Sequence, residues 1–250
     1  MTTPTPSPIT ISTRDGACPG YVFTPEGDGP WPAVIVYMDA LAVRPALMEL
    51  GRRLADLGYY MLVPDLFYRS GPYAPMDPRT IFADPDAFKE LKEKHMVHAT
   101  MDNMMSDTQA FLDFLDKQPQ VKPGPVGVTG YCMGGRFALA AAGHWPERIK
   151  AAASFHGSNL ATDAPDSPHL LAPRMQARVL VAGATEDKSF PDDMKQRLET
   201  ALTEAGVEHS VETWPVKHGW VFRDTPVFDE AGSDRHYQRL RQLFAETLNH

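Results

Sequence analysis

Apolar residues along this chain come in short, β-rich runs separated by amphipathic stretches. Runs at residues 20–24, 32–38, 59–63, 126–131, 149–155, 179–182 and 209–214 predict strands. Several, such as Ala33-Val34-Ile35-Val36-Tyr37 and Val179-Leu180-Val181-Ala182, are apolar throughout, as strands buried on both faces are. Between them, Leu47, Leu50, Leu54 and Leu57 recur at spacings of three and four, which predicts one apolar helical face stopping at Gly58. Met101, Met104, Met105, Thr108, Phe111, Leu112 and Leu115 do the same within a helix over about 96–117, and residues 233–249 predict a closing helix. The alternation gives a single α/β domain over residues 1–250, with a mostly parallel central sheet and helices on both faces. Ligands are then expected at the carboxyl ends of the strands. Residues 67–86 and 158–174 are proline-rich or aperiodic and read as long surface loops that could rim a site.

One segment breaks the alternation with chemistry. Gly130-Tyr131-Cys132-Met133-Gly134-Gly135 follows the strand run Val126-Gly127-Val128-Thr129 and precedes the helix-forming Arg136-Phe137-Ala138-Leu139-Ala140-Ala141-Ala142. A nucleophile on a strained strand-to-helix turn needs small residues two positions before and after it, and Gly130 and Gly134 occupy those places. A buried structural cysteine beside a glycine-rich turn is the plainer reading. A dinucleotide loop fits less well, because no acidic residue closes a following strand at the spacing a ribose requires.

Composition narrows the partners. The formal charge is −8, from 24 basic and 32 acidic residues, which argues against a nucleic-acid ligand. No apolar run approaches the length of a membrane span. Residues 1–8 have neither a basic start nor an apolar core and read as a flexible tail, and Cys18 and Cys132 are the two cysteines of the chain. Pairing them would consume the candidate nucleophile, so a reduced, cytoplasmic setting is expected. With no coiled-coil heptad in view, a monomer or loose homodimer is the default.

A thiol attacks as thiolate, and a free cysteine has a pKa of about 8.5, so Cys132 needs a base or a positive field. His218 follows the strand run 209–214, and Asp187 follows the run 179–182, both at the expected end of the sheet. Their order along the chain is nucleophile, acid, histidine, as in α/β-hydrolases. Glu186 rivals Asp187 as the acid. His156 ends the run 149–155 and could line the pocket, whereas His95, His98 and Asp102 share a helical face without a third strong metal ligand nearby.

At these residues the chain resembles the dienelactone hydrolase family of α/β-hydrolases. The resemblance includes Val63-Pro64-Asp65-Leu66-Phe67-Tyr68-Arg69, the cysteine elbow, Ala182-Gly183-Ala184-Thr185-Glu186-Asp187, His218-Gly219 and Pro226-Val227-Phe228-Asp229. It implies a Cys132, His218, Asp187 triad, no metal or organic cofactor, and a small ester or lactone as substrate. It also implies a carboxylate after the run 32–38 that holds the resting thiol, usually a glutamate, where this chain has Asp39. The shorter side chain reaches about 1.5 Å less, so contact with Cys132 would need a closer backbone or a bridging water. An anion there would keep the resting thiol neutral.

The oxyanion hole is then expected from the backbone N–H groups of Met133 and Ala40. Family members acting on dienelactone hold its carboxylate with arginines, for which Arg79 and Arg223 are the candidates. Trp220, Phe222, Phe67 and Tyr68 suggest an aromatic rim suited to a less polar substrate. A non-hydrolytic redox or ligand-binding role, or acyl transfer through the same nucleophile, are the alternatives.

Overall fold

The computed structural model describes residues 6–249. Eight strands form one sheet in the order β1-β2-β4-β3-β5-β6-β7-β8. They are β1 (Ser7–Thr13), β2 (Gly16–Phe23), β3 (Trp31–Tyr37), β4 (Tyr60–Pro64), β5 (Val121–Tyr131), β6 (Ile149–Phe155), β7 (Arg178–Ala184) and β8 (His209–Trp214). From β4 to β8 every neighbouring pair is parallel, while β1–β2 and β2–β4 are antiparallel. Among the parallel strands β3, β4 and β7 carry continuous apolar runs, and Ala33 through Tyr37 are completely buried.

The helices are α1 (Pro45–Ala55), α2 (Pro78–Ala83), α3 (Pro85–Glu90), α4 (Met101–Leu115), α5 (Met133–His144), α6 (Asp192–Glu204) and α7 (Glu230–Thr247). Glycines in β5 show how the sheet is covered. A Cβ on Gly127 would strike Leu248 and Phe244 of the C-terminal segment, whereas one on Gly130 would strike the backbone of α5. Residues 127 and 130 point to opposite faces of a strand, so α5 and α7 lie on opposite faces of the sheet.

Three expectations change. The segment read as a tail extends into β1, since Ser7 and Pro8 pair with Val22 and Tyr21; residues 1–5 lie outside the described residues. The signal missed there is the alternation of Ile9 and Ile11 with threonine and serine in a half-exposed edge strand. The proline-rich loop contains α2 and α3, because Asp77 and Asp84 each cap a helix whose first residue is proline. The helix expected from about 96 starts at Met101, where the Thr100 hydroxyl accepts the Asn103 N–H; residues 91–98 form a π turn and a 3-10 turn instead.

His236 of α7 ties that helix to the sheet. Its Nε2 lies 2.7 Å from the Tyr131 hydroxyl, and its ring packs edge-on to Phe155 with centroids 4.3 Å apart. Burial, with Arg53 adding to it, pushes its pKa down to about 3. The folded value lies below the unfolded one of about 6.5, so this contribution to stability is present above that pH and lost as pH falls towards 3. Urea titrations should show on the order of 2–3 kcal/mol less stability at pH ~4.5 than at pH ~7 from this group. In His236→Gln that difference should shrink correspondingly; an unchanged difference would assign the acid sensitivity elsewhere.

Candidate active site

Cys132 sits between the last residue of β5 and the first of α5, with φ 50° and ψ −114°, a left-handed backbone that a cysteine adopts only under constraint. The constraint is close packing. A Cβ on Gly130 would come within 2.1 Å of the Gly134 carbonyl oxygen, and one on Gly134 within 2.1 Å of the Tyr37 oxygen at the end of β3. A Cβ on Gly135 would likewise come within 2.3 Å of the Ser154 hydroxyl. The Cys132 N–H donates to Phe155 O at 3.2 Å, and its carbonyl accepts from Gly135 N and Ser158 N at 3.1 and 3.0 Å. These bonds hold the thiol above the sheet at its carboxyl edge. Met133 is the first residue of α5, so its N–H has no acceptor within the helix.

His218 reaches the thiol from the loop after β8. Its Nδ1 is 2.8 Å from Asp187 Oδ2, and the other Asp187 oxygen accepts the Ser189 N–H at 2.9 Å. The Asp187 side chain is 2% exposed and that of His218 29%, so a buried carboxylate orients a ring that solvent or substrate can reach. Burial alone would lower the imidazole pKa; hydrogen bonds to Asp187 and Cys132 and their charges outweigh it and push it up to about 10. Glu186, the rival acid, is an exposed turn residue at φ 57°. A cleft of about 380 Å³ opens beside His218, lined by Thr185, Asp187, Lys188, Ser189 and Lys217.

Asp39 makes its side-chain hydrogen bonds to Arg44 and to the Leu41 backbone. Its Oδ1 accepts from Arg44 Nη1 at 2.6 Å and from the Leu41 N–H at 3.1 Å, and its Oδ2 accepts from Arg44 Nη2 at 2.9 Å. A fully desolvated guanidinium five residues away offers this short carboxylate a bidentate partner. The Ser158 hydroxyl lies 3.7 Å from the Cys132 sulfur. Ala40 follows Asp39 in the same buried loop, next to the elbow.

The aromatic rim is not at the surface. Trp220, Phe222 and Phe67 are at most 2% exposed, since burying such rings removes large apolar areas from water; Trp220 and Phe222 pack on His156, whereas Phe67 packs on Tyr73 and His95. Tyr68 is half-buried, its hydroxyl held by Thr13 at 2.7 Å and Asp107 at 3.0 Å. His156 lies among these rings, 5.0 Å between centroids from both His218 and Trp220, with neither ring nitrogen hydrogen-bonded. Burial first, then the nearby His218, His236 and Arg44 charges, holds it neutral, far below the usual histidine range. It therefore packs against His218 and, 1% exposed, does not line an open pocket.

The two arginines expected to hold a substrate carboxylate are both exposed. Arg79 is exposed on α2, and Arg223, 55% exposed, points to Glu49 at 3.7 Å and stacks on Phe228. His95 stacks with Phe67 and Tyr73, and Asp102 pairs with Arg14. Among the described residues no three His, Cys, Asp or Glu side chains gather as a metal site, and no helix is long and apolar enough to cross a membrane. Sequence reasoning missed Ser158, Arg44 and Asp224, since nothing in their local patterns sets them apart from loop residues.

The parallel sheet, the elbow after β5 and the acid and histidine after β7 and β8 define an α/β-hydrolase. The sequence profile of the dienelactone hydrolase family matches residues 18–248, and the chain belongs to that family, whose members are ester and lactone hydrolases. A Synechocystis protein provisionally named carboxymethylenebutenolidase is 26% identical over 249 residues, covering 96% of each chain. An Escherichia coli K12 protein with the same provisional name is 26% identical over 246 residues, covering 94% of this chain and 85% of its own. Among solved structures, a provisionally named dienelactone hydrolase of Klebsiella pneumoniae superposes with TM-score 0.84 at 23% identity, covering 98% of this chain and all of its own. The dienelactone hydrolase of Anabaena variabilis superposes with TM-score 0.71 at 19% identity, covering 99% of this chain and 100% of its own.

Proposed function

We propose that this hydrolase cleaves a small ester or lactone through a thioester on Cys132, with His218 and Asp187 completing the triad. The observation that carries the reading is the His218 ring, held at Nδ1 by a buried Asp187 and electrostatically coupled to Cys132. Asp187 orients the ring so that its other nitrogen takes the thiol proton as the sulfur attacks, which leaves an imidazolium beside the nucleophile. The thiolate adds to the carbonyl carbon, and the resulting oxyanion is taken by the N–H groups of Met133 and Ala40. As the tetrahedral intermediate collapses, the bond to the alkoxide breaks and His218 protonates that leaving oxygen. With the sulfur acylated, the now neutral His218 takes a proton from water. Its hydroxide attacks the thioester, and collapse releases the carboxylic acid and restores the thiolate and imidazolium. A lactone follows the same course with its alkoxide still tethered.

The test compares wild type with Cys132→Ala on aryl esters, enol lactones and a dienelactone, following turnover and intact mass. Turnover should vanish in the variant, and wild type alone should carry an acyl adduct at Cys132. Turnover that survives in Cys132→Ala rejects the mechanism. A thiol that oxidises reversibly but forms no adduct on any substrate assigns the chain to the redox reading instead. Adding an alcohol or amine acceptor to the same assay separates acyl transfer from hydrolysis.

A further inference from the structure

Arg44 joins two loops that stand on either side of the thiol. It is 3% exposed and occupies the N-cap position of α1, at the end of the loop that carries Ala40. On one side it donates to both oxygens of Asp39, at 2.6 and 2.9 Å, and to Ala42 O at 3.4 Å. On the other side Nε donates to Asp224 Oδ2 at 2.6 Å and Nη2 to Asp224 Oδ1 at 3.3 Å. Its Cζ lies 4.7 Å from the centre of the Phe222 ring. Asp224 belongs to the loop begun by His218, and that loop is folded on itself by the Thr225 hydroxyl, which donates to Gly219 O at 3.1 Å and Phe222 O at 2.9 Å. The Asp39 end is equally fixed: Oδ1 caps the Leu41 N–H, and Ala42 is held at φ 66°.

We infer that Arg44 is a positioning residue whose planar fork clamps the oxyanion loop to the histidine loop through Asp39 and Asp224, and that Asp39 serves this clamp and not the thiol. The inference rests on the triad reading above. A guanidinium can hold two carboxylates in fixed planes at once, which an ammonium cannot. Such precision matters where a displacement of about 1 Å can cost on the order of 100-fold in rate. A buried ion pair is weak as a source of stability but suited to setting geometry.

Steady-state kinetics of Arg44→Lys and Asp39→Asn, beside the pH profile of Cys132 alkylation by iodoacetamide, test this. Alkylation needs the thiolate but no oxyanion hole. Both variants should lose about 100-fold in kcat with KM within about threefold, and the alkylation profile should stay where wild type has it. A profile displaced in Asp39→Asn would place Asp39 on the thiol and overturn the inference, as would Arg44→Lys turning over within about threefold of wild type. Where Arg44→Lys does not fold, as judged by thermal melting, Asp224→Asn replaces it. The Asp224 carboxylate is 30% exposed, and its loss should cost about 10-fold in kcat; no loss would again overturn the clamp. Failure of the triad reading shows earlier and separately, as turnover in Cys132→Ala.

Discussion

Asp187→Asn is expected to lower kcat by about 10³- to 10⁴-fold while KM stays within a few-fold. The carboxylate accepts the Nδ1–H of His218 at 2.8 Å and is fixed by the Ser189 N–H at 2.9 Å. An amide there would offer its own N–H to Nδ1, turning the ring to the tautomer whose Nε2 carries the proton and cannot accept one from thiol or water. It would also remove the charge that outweighs burial, so the His218 pKa should drop from about 10 in an NMR titration. The sign for stability follows. In wild type the folded pKa exceeds the unfolded value of about 6.5, so this contribution is complete below that pH and fades as pH rises through about 10. The variant should lose that alkaline decline. A variant within about tenfold of wild-type kcat, with an unmoved His218 titration, would remove Asp187 from the proposed triad.

Gly134→Ala is expected to destabilise the fold by at least about 3 kcal/mol and to abolish turnover in whatever remains folded. The new Cβ would lie 2.1 Å from Tyr37 O and 2.6 Å from Met38 O, both backbone atoms. Relief requires α5 or the end of β3 to move, and those two elements carry Met133 on one side and Asp39 and Ala40 on the other. Gly51 in α1 is the useful contrast, because its Cβ would meet the Phe23 ring at 2.7 Å, so that a side chain and not a backbone must give way. Chemical denaturation should therefore rank Gly134→Ala well below Gly51→Ala. Equal losses would mean that the elbow relaxes more easily than its backbone contacts imply.

The site was legible to the extent that its signals are local. Glycines flanking Cys132 announce a turn that only small residues permit, and the steric reason is visible within a few residues of the chain. Asp187 and His218 could be found because each lies just past an apolar run, and parallel strands bring their carboxyl ends to one edge. Resemblance alone put a carboxylate on the thiol, and the structure gives that carboxylate to Arg44.

Hydrophobic period, proline and glycine placement and chain order thus determined the α/β sheet, the elbow and the sequence of candidate catalytic groups, because each acts over a few bonds or through the repeat of a single element. The tertiary structure decided the partners. Arg44 meets Asp224 across 180 positions, and Ser158 comes to the thiol across 26. Trp220 and Phe222 turn inward because the core around His156 accepts their area, although nothing in a polar loop marks them for burial. Which charge a buried carboxylate faces depends on what the rest of the fold brings within about 3 Å, and no local pattern encodes that distance.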